Sequence, residues 1–208
     1  MIQRHEALSY VLAGSREELI RDMTSKKRAF FELLEPLHVG PIDPLHLARW
    51  IDDRLRSRGI EPAGSGTAAI PMSGPRTRDI MVHASAIFEL AREARRVGED
   101  MPARAFENVV DQRHELFLSL WDTLSPGQQN VLRALAAGEG SPFGEGTRDR
   151  FGLGPSVSVA GAVERLVGRD LLVRGEDDYA FDSPFFRRWV ERETLPDAGI
   201  FIGRGRTT

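Results

Sequence analysis

The chemically capable side chains of this 208-residue chain are rarely grouped. Its only lysines are Lys26 and Lys27, which follow Met23-Thr24-Ser25 and not a glycine-rich turn. A phosphate-binding P-loop of the G-x-x-x-x-G-K-S/T type needs a lysine behind such a turn, so the chain carries no such motif. The histidines, His5, His38, His46, His83 and His114, are scattered, and neither His5-Glu6 nor His114-Glu115 has the second histidine four residues on that a helix-borne zinc site requires. No metal site is expected. The absence of cysteine excludes disulfides, zinc fingers and thiol nucleophiles. Ser9, Ser15 and Ser73 stand in no G-x-S-x-G context, so a serine hydrolase has no support. Asp52-Asp53 and Glu176-Asp177-Asp178 are carboxylate groupings of the type that performs acid/base chemistry. The first falls on a solvated helix face and the second at a hairpin tip, so both read as surface charge.

The remaining cations are all arginines. With 28 Lys+Arg against 31 Asp+Glu, the net charge of −3 argues against a chain that coats nucleic acid by bulk charge. An apolar content of 41% is enough for a core in one or two domains. No apolar run approaches the ~18 residues of a membrane span, and Met1 to Glu6 lacks the apolar stretch of a secretory signal. A soluble, cytoplasmic protein is expected.

Stepping along the chain, Leu8 to Gly14 is β-prone and reads as a buried strand, after which Ser15 and Glu18 form a capping box opening a helix to about Met23. A second apolar run spans Ala29 to Val39, broken by Pro36. From Asp43, after an Asp-Pro start, the period becomes helical: Leu45, Leu47, Ala48, Ile51 and Leu55 recur up to Gly59. Glu61 to Ser73 reads as a loop with one helical turn. Pro75 opens a helix with an apolar face of Ile80, Met81, Ala84, Ile87, Phe88 and Ala91, ending near Gly98. Pro102 opens another, burying Phe106, Val109, Val110, Phe117, Leu120 and Trp121. Ser125 caps a helix bearing Val131, Leu132, Leu135 and Ala136; a short helix follows at Arg148 to Phe151, then a third with Val159, Ala162, Val163, Leu166 and Val167. The runs Asp170 to Arg174 and Tyr179 to Phe181 flank a polar turn and form a hairpin. Three helices and a hairpin are in winged-helix order. Pro184 opens a last amphipathic helix whose Phe185, Phe186 and Trp189 pack back onto the winged helix or the helical bundle of 43–123.

Three stretches carry a resemblance to the C-terminal part of archaeal-type P-loop ATPases of the AAA/STAND kind. Ile2-Gln3-Arg4-His5 with Tyr10 to Ser15 is similar to the "yvfaGSr" strand ending at the sensor 1 position. Leu37-His38-Val39-Gly40-Pro41-Ile42 is similar to the last strand leading into the helical lid. Ala162 to Leu172 and Phe181-Asp182-Ser183-Pro184-Phe185-Phe186-Arg187-Arg188-Trp189 resemble the winged helix that ends such proteins. The resemblance implies a mainly α fold: a remnant of the α/β P-loop domain (1–42), a helical lid (43–123), a winged helix (124–194) and a flexible tail (195–208).

It also implies that in an intact parent ATP with magnesium lies between the α/β core and the lid, sensed by Ser15 and by Gly74, Pro75, Arg76 and Arg78 where the lid helix opens. A helix N-terminus beside an arginine suits a phosphate; a proline-started helix with solvated arginines is the bland alternative. The chain departs from the family in lacking both the Walker A lysine and a Walker B strand ending in Asp-Asp or Asp-Glu before Ala13. An N-terminally truncated member that binds no cofactor tightly and hydrolyses no ATP is expected. The rival is a stand-alone winged-helix DNA-binding regulator. Its recognition helix, Pro155 to Arg169, exposes Ser156, Ser158, Glu164, Arg165 and Arg169, but residues 124–194 hold nine arginines against eleven acids. That balance disfavours DNA and favours protein or intramolecular docking. No membrane contact is expected, and the edges of Leu8–Ala13 and Phe30–Val39 offer a route to self-association.

Overall fold

The computed structural model describes residues 42–175 and 178–195, together with the stretches 11–14, 22–25 and 39–40 and positions 35 and 37. The chain divides into two units, 1–40 and 41–208. In the first, Val11 to Gly14 is irregular and exposed, with Val11 91% accessible, so the described end of the expected buried strand is not one. A β-prone run becomes a strand only where a neighbour completes its ladder, and no strand among the described residues pairs with it. Asp22-Met23 is helical, matching the end of the expected helix. Ser15, most of Ala29 to Val39 and the tail from residue 196 lie outside the described residues.

The second unit is helical. Helix α1, Pro44–Ser57, starts where the Asp43 carboxylate accepts the His46 N–H at 2.9 Å, and it buries Leu47, Ala48, Ile51 and Leu55. Helix α2, Ser65–Ser73, corrects the expected loop. Its composition is poor for a helix, with Gly66 and an internal Pro71, but tertiary contacts compensate. The Asp52 carboxylate of α1 accepts the Gly66 N–H at 2.8 Å and the Ser65 hydroxyl at 3.4 Å, capping α2 from outside. Asp52 is therefore half-buried and structural and not plain surface charge. Gly66 also lets the helices touch: a β-carbon there would lie 2.2 Å from the Ala48 carbonyl oxygen.

Helix α3, Thr77–Ala91, ends seven residues before Gly98, because Arg95 turns with φ +57° and Glu61 and Arg96 pair through Glu61 N–H to Arg95 O and Val97 N–H to Glu61 O. The expected long helix from Pro102 is two helices, α4 Met101–Gln112 and α5 His114–Asp122, separated at Arg113 (φ −101°, ψ 6°). The break turns Phe117 and Trp121 into the same core as Phe106, Val109 and Val110. One apolar cluster joins α1, α2, α3 and Ala105 of α4, and the other joins Phe106, Val109 and Val110 of α4 to apolar residues of the later segments.

That second cluster contains the core of the winged helix. Helix α6, Pro126–Ala136, has the expected Ser125 cap, and the structure adds a capping box in which Ser125 and Gln128 exchange bonds. Helices α7, Glu145–Phe151, and α8, Ser156–Gly168, follow, then strands β1, Leu172–Arg174, and β2, Tyr179–Phe181, paired antiparallel with Val173 opposite Ala180. Helix α9, Pro184–Thr194, is capped by Ser183 and buries Phe185, Phe186, Trp189 and Val190. Phe185 stacks on Phe106 at 4.8 Å, and the Trp189 ring lies near both Trp121 and Phe117.

A buried polar link ties α2, α3 and α4 together. His83 Nε2 donates to the Pro102 carbonyl at 2.6 Å, which leaves Nδ1 of the neutral ring facing the Ser73 hydroxyl at 2.7 Å. Burial pushes the His83 imidazole below its ordinary 6.5, only partly opposed by the Pro102 carbonyl. The unfolded chain therefore takes up this proton first, so stability is complete above the ordinary value and declines as pH falls below it. Two outcomes are expected in urea unfolding. The midpoint falls between about pH 7 and pH 5, and it falls less in His83→Gln. Gly66→Ala, which drives a methyl into the Ala48 backbone, costs about 1–3 kcal/mol at constant pH.

Candidate functional site

Gly74 ends α2 with φ +70°, a left-handed conformation that suits glycine, and Pro75 leads to Arg76 in extended backbone at the N-cap of α3. No side chain caps this terminus, so a 15-residue helix presents its first N–H groups beside Arg76 and Arg78. The structure thus brings Gly74, Pro75, Arg76 and Arg78 to one helix start. Ser15 lies outside the described residues.

The two arginines are not free. Arg76 holds Asp182 with both arms of its guanidinium, one bond being Nη1–H to Oδ2 at 2.8 Å and the other Nη2 to Oδ1. Arg78 lies 3.9 Å from the same carboxylate and 3.3 Å from Asp79. Asp182 belongs to the winged helix: it follows β2, its N–H donates to the Leu171 carbonyl at 3.0 Å, and it precedes the cap of α9. Its side chain is 10% exposed and that of Asp79 only 1%, with Asp79 Oδ2 unpartnered. Burial pushes the Asp182 carboxyl up; Arg76 and Arg78 pull it down, and Asp79 and Asp170 push it further up. Two guanidiniums and two carboxylates therefore balance where the start of α3 meets the β2–α9 junction. The separation of 106 residues between Arg76 and Asp182 explains why sequence spacing offered no sign of this partner.

The donor set fits an anionic, oxygen-rich group. A planar carboxylate already occupies the Arg76 fork in the bidentate mode that arginine also uses for phosphate. Among the described residues no three His, Asp or Glu side chains are placed to hold a metal ion.

The exposed face of α8 is as expected, with Ser156, Ser158, Glu164, Arg165 and Arg169 at the surface. Its charges are largely engaged. Glu164 pairs with Arg174 of β1, and Arg169 donates to the Thr123 hydroxyl at 2.7 Å. Among the described residues, Arg165 alone of these three arginines lacks a polar partner, so the face has little unpaired cation to give to phosphates.

The architecture is that of a winged-helix protein with a helical lid in front of the winged helix. Residues 115–192 match the family described as a probable winged helix domain. The fold is similar to that of a solved Walker-type ATPase of Pyrococcus abyssi, with a TM-score of 0.57 and 16% identity over 83% of this chain and 50% of that one. The chain spans half the length of that ATPase, and at this identity the likeness is one of fold. No curated protein matches the chain in sequence. No helix among the described residues is long and apolar enough to cross a membrane.

Arg76 is partly exposed and Asp182 nearly buried, so their pair should contribute measurably without dominating stability. A double-mutant cycle of Arg76→Ala and Asp182→Asn in urea unfolding is expected to give a coupling of about 1 kcal/mol that shrinks with added salt.

Proposed function

We propose that the chain is the lid and winged-helix part of an AAA/STAND-type ATPase without a P-loop of its own, in which the start of α3 receives a phosphate and reports it to the winged helix. The observation that carries this is the Arg76 fork on Asp182. The residues that the family resemblance assigns to phosphate sensing, Arg76 and Arg78, are the residues that bind the winged helix through a carboxylate. An anion taken by Arg76 has to displace Asp182, which gives nucleotide state a physical route to the β2–α9 junction. ATP with magnesium is the cofactor of the intact parent on this proposal. Bound, it would supply the phosphate charge; Arg76, Arg78 and the first N–H groups of α3 are the groups here that would meet it. With no Walker lysine in the sequence, the chain itself turns over no ATP and holds nucleotide weakly.

The winged helix serves protein or intramolecular docking on this proposal, because the α8 face is nearly neutral. Isothermal titration with sodium pyrophosphate tests the site. Weak binding to the wild type is expected, lost in Arg76→Ala and strengthened several-fold in Asp182→Asn, where the competitor for the fork no longer carries charge. Equal affinities in wild type and Asp182→Asn would refute the competition. ATP turnover above a buffer blank would overturn the inactive assignment, and saturable sub-micromolar binding of duplex DNA at moderate salt would favour the DNA-binding reading instead.

A further inference from the structure

Two surfaces far from Arg76 in function complement each other. The first is a groove of about 230 Å³ between α1 and α3. Trp50 and Arg54 of α1 and Arg58 just past its end form its ridge at four-residue spacing, Met81 and Phe88 face them from α3, and Ile51 lies in its floor. Trp50 is 48% exposed, with the Arg54 guanidinium 5.8 Å from its ring centre. Neither Arg54 nor Arg58 has a carboxylate partner among the described residues, although neighbouring Arg56 is paired with Asp53. The groove is therefore apolar inside and positive along one rim.

The second surface is the outer stripe of α5. Glu115, Leu118 and Asp122 lie at three- and four-residue intervals, on a flank of the helix beside buried Trp121. Leu118 is 37% and Leu116 beside it 64% exposed, and neither Glu115 nor Asp122 has a cation partner among the described residues. This is an acid, apolar, acid stripe, opposite in charge to the rim of the groove. Within one chain α5 packs with α4 and α9 while α1 packs with α2, and neither surface is covered by another described element of residues 41–208.

We propose that the α1/α3 groove of one molecule receives the α5 stripe of a second copy, with Leu118 entering the apolar groove between Arg54 and Arg58 as Glu115 and Asp122 meet Arg58 and Arg54. The two acids stand about 10 Å apart along their helix and the two arginines about 6 Å, a difference within the swing of two flexible arginine side chains. Groove and stripe are different patches, so the contact is heterologous and each copy keeps one of each free for a further neighbour. An interface of one helix stripe is small, and a self-affinity on the order of 10–100 µM is expected. It is independent of the phosphate reading above, since neither Arg76 nor Asp182 takes part.

Sedimentation velocity on the full chain tests it through charge exchange. The wild-type mass average should rise with concentration over about 5–200 µM. Arg54→Glu with Arg58→Glu, and separately Glu115→Arg with Asp122→Arg, should each weaken self-association at least about tenfold, because each reversal sets like charges against each other. All four positions are exposed, and unchanged urea midpoints identify variants that fold as the wild type does. Mixing the two variants should restore association, since the reversed groove of one matches the reversed stripe of the other. A wild type that stays monomeric, association insensitive to the reversals, or a mixture that fails to recover each overturns the proposal. A monomer that instead binds a labelled oligo(dT) through Trp50 and Arg54 would assign the groove to nucleic acid.

Discussion

Burying Phe185, Phe186 and Trp189 is the constraint on which the body from residue 41 onward depends. All three are almost fully buried, and each aromatic of this kind removes enough apolar surface to contribute about 4–6 kcal/mol as an upper figure. They lie on one face of α9 because Pro184 and Ser183 start that helix one residue before Phe185. Phe106 of α4, Phe117 and Trp121 of α5 and the apolar residues of α6 and α8 supply the surfaces they fill. Without α9 the winged helix has an open core.

The same burial joins the lid to the winged helix. Helix α4 gives Ala105 to the first apolar cluster and Phe106, Val109 and Val110 to the second, so a single helix is shared between the cores. Its outer side is held to α9 by Glu107, which accepts from Arg188 at 2.7 Å and Arg192 at 3.3 Å, and by Asp111, 2.7 Å from Arg192. Separating the lid from the winged helix therefore means tearing α4 from one of two apolar faces. The His83 link, which anchors the start of α4 through Pro102, adds a third restraint.

How much of this was legible depends on whether the cause of each feature is local. The Ser125 cap, the Asp-Pro start of α1 and the apolar spacings of α6, α8 and α9 are set within a few residues and are legible in the sequence. Helix α2 escaped because its cap comes from Asp52, thirteen and fourteen residues back, and because Gly66 looks like a breaker until the Ala48 backbone is beside it. The split at Arg113 was hidden since both halves bury residues that continue one helical pattern. At the candidate site the arginine-bearing helix start was readable, while its partner was not: Asp182 sits in a stretch that resembles a winged helix, with nothing nearby to mark its carboxylate as a ligand of Arg76.

The magnitudes decide what kind of signal such a site can send. A half-exposed ion pair contributes on the order of 1 kcal/mol, whereas the aromatic face of α9 contributes roughly ten times that. An anion that competes for Arg76 has only the first of these to work against. It can free Asp182, and with it the segment between β2 and the Ser183 cap, but it cannot supply the energy to lift α9 out of the core it shares with α4. The local consequence follows from the placement of Asp182, whose backbone is tied to Leu171 at the entry to β1 and whose neighbour Ser183 caps α9. A change in its carboxylate therefore acts first on the base of the hairpin and the first turn of α9. On the proposed function, nucleotide state is then reported as an adjustment of the wing and not as a rotation of the whole winged helix away from the lid.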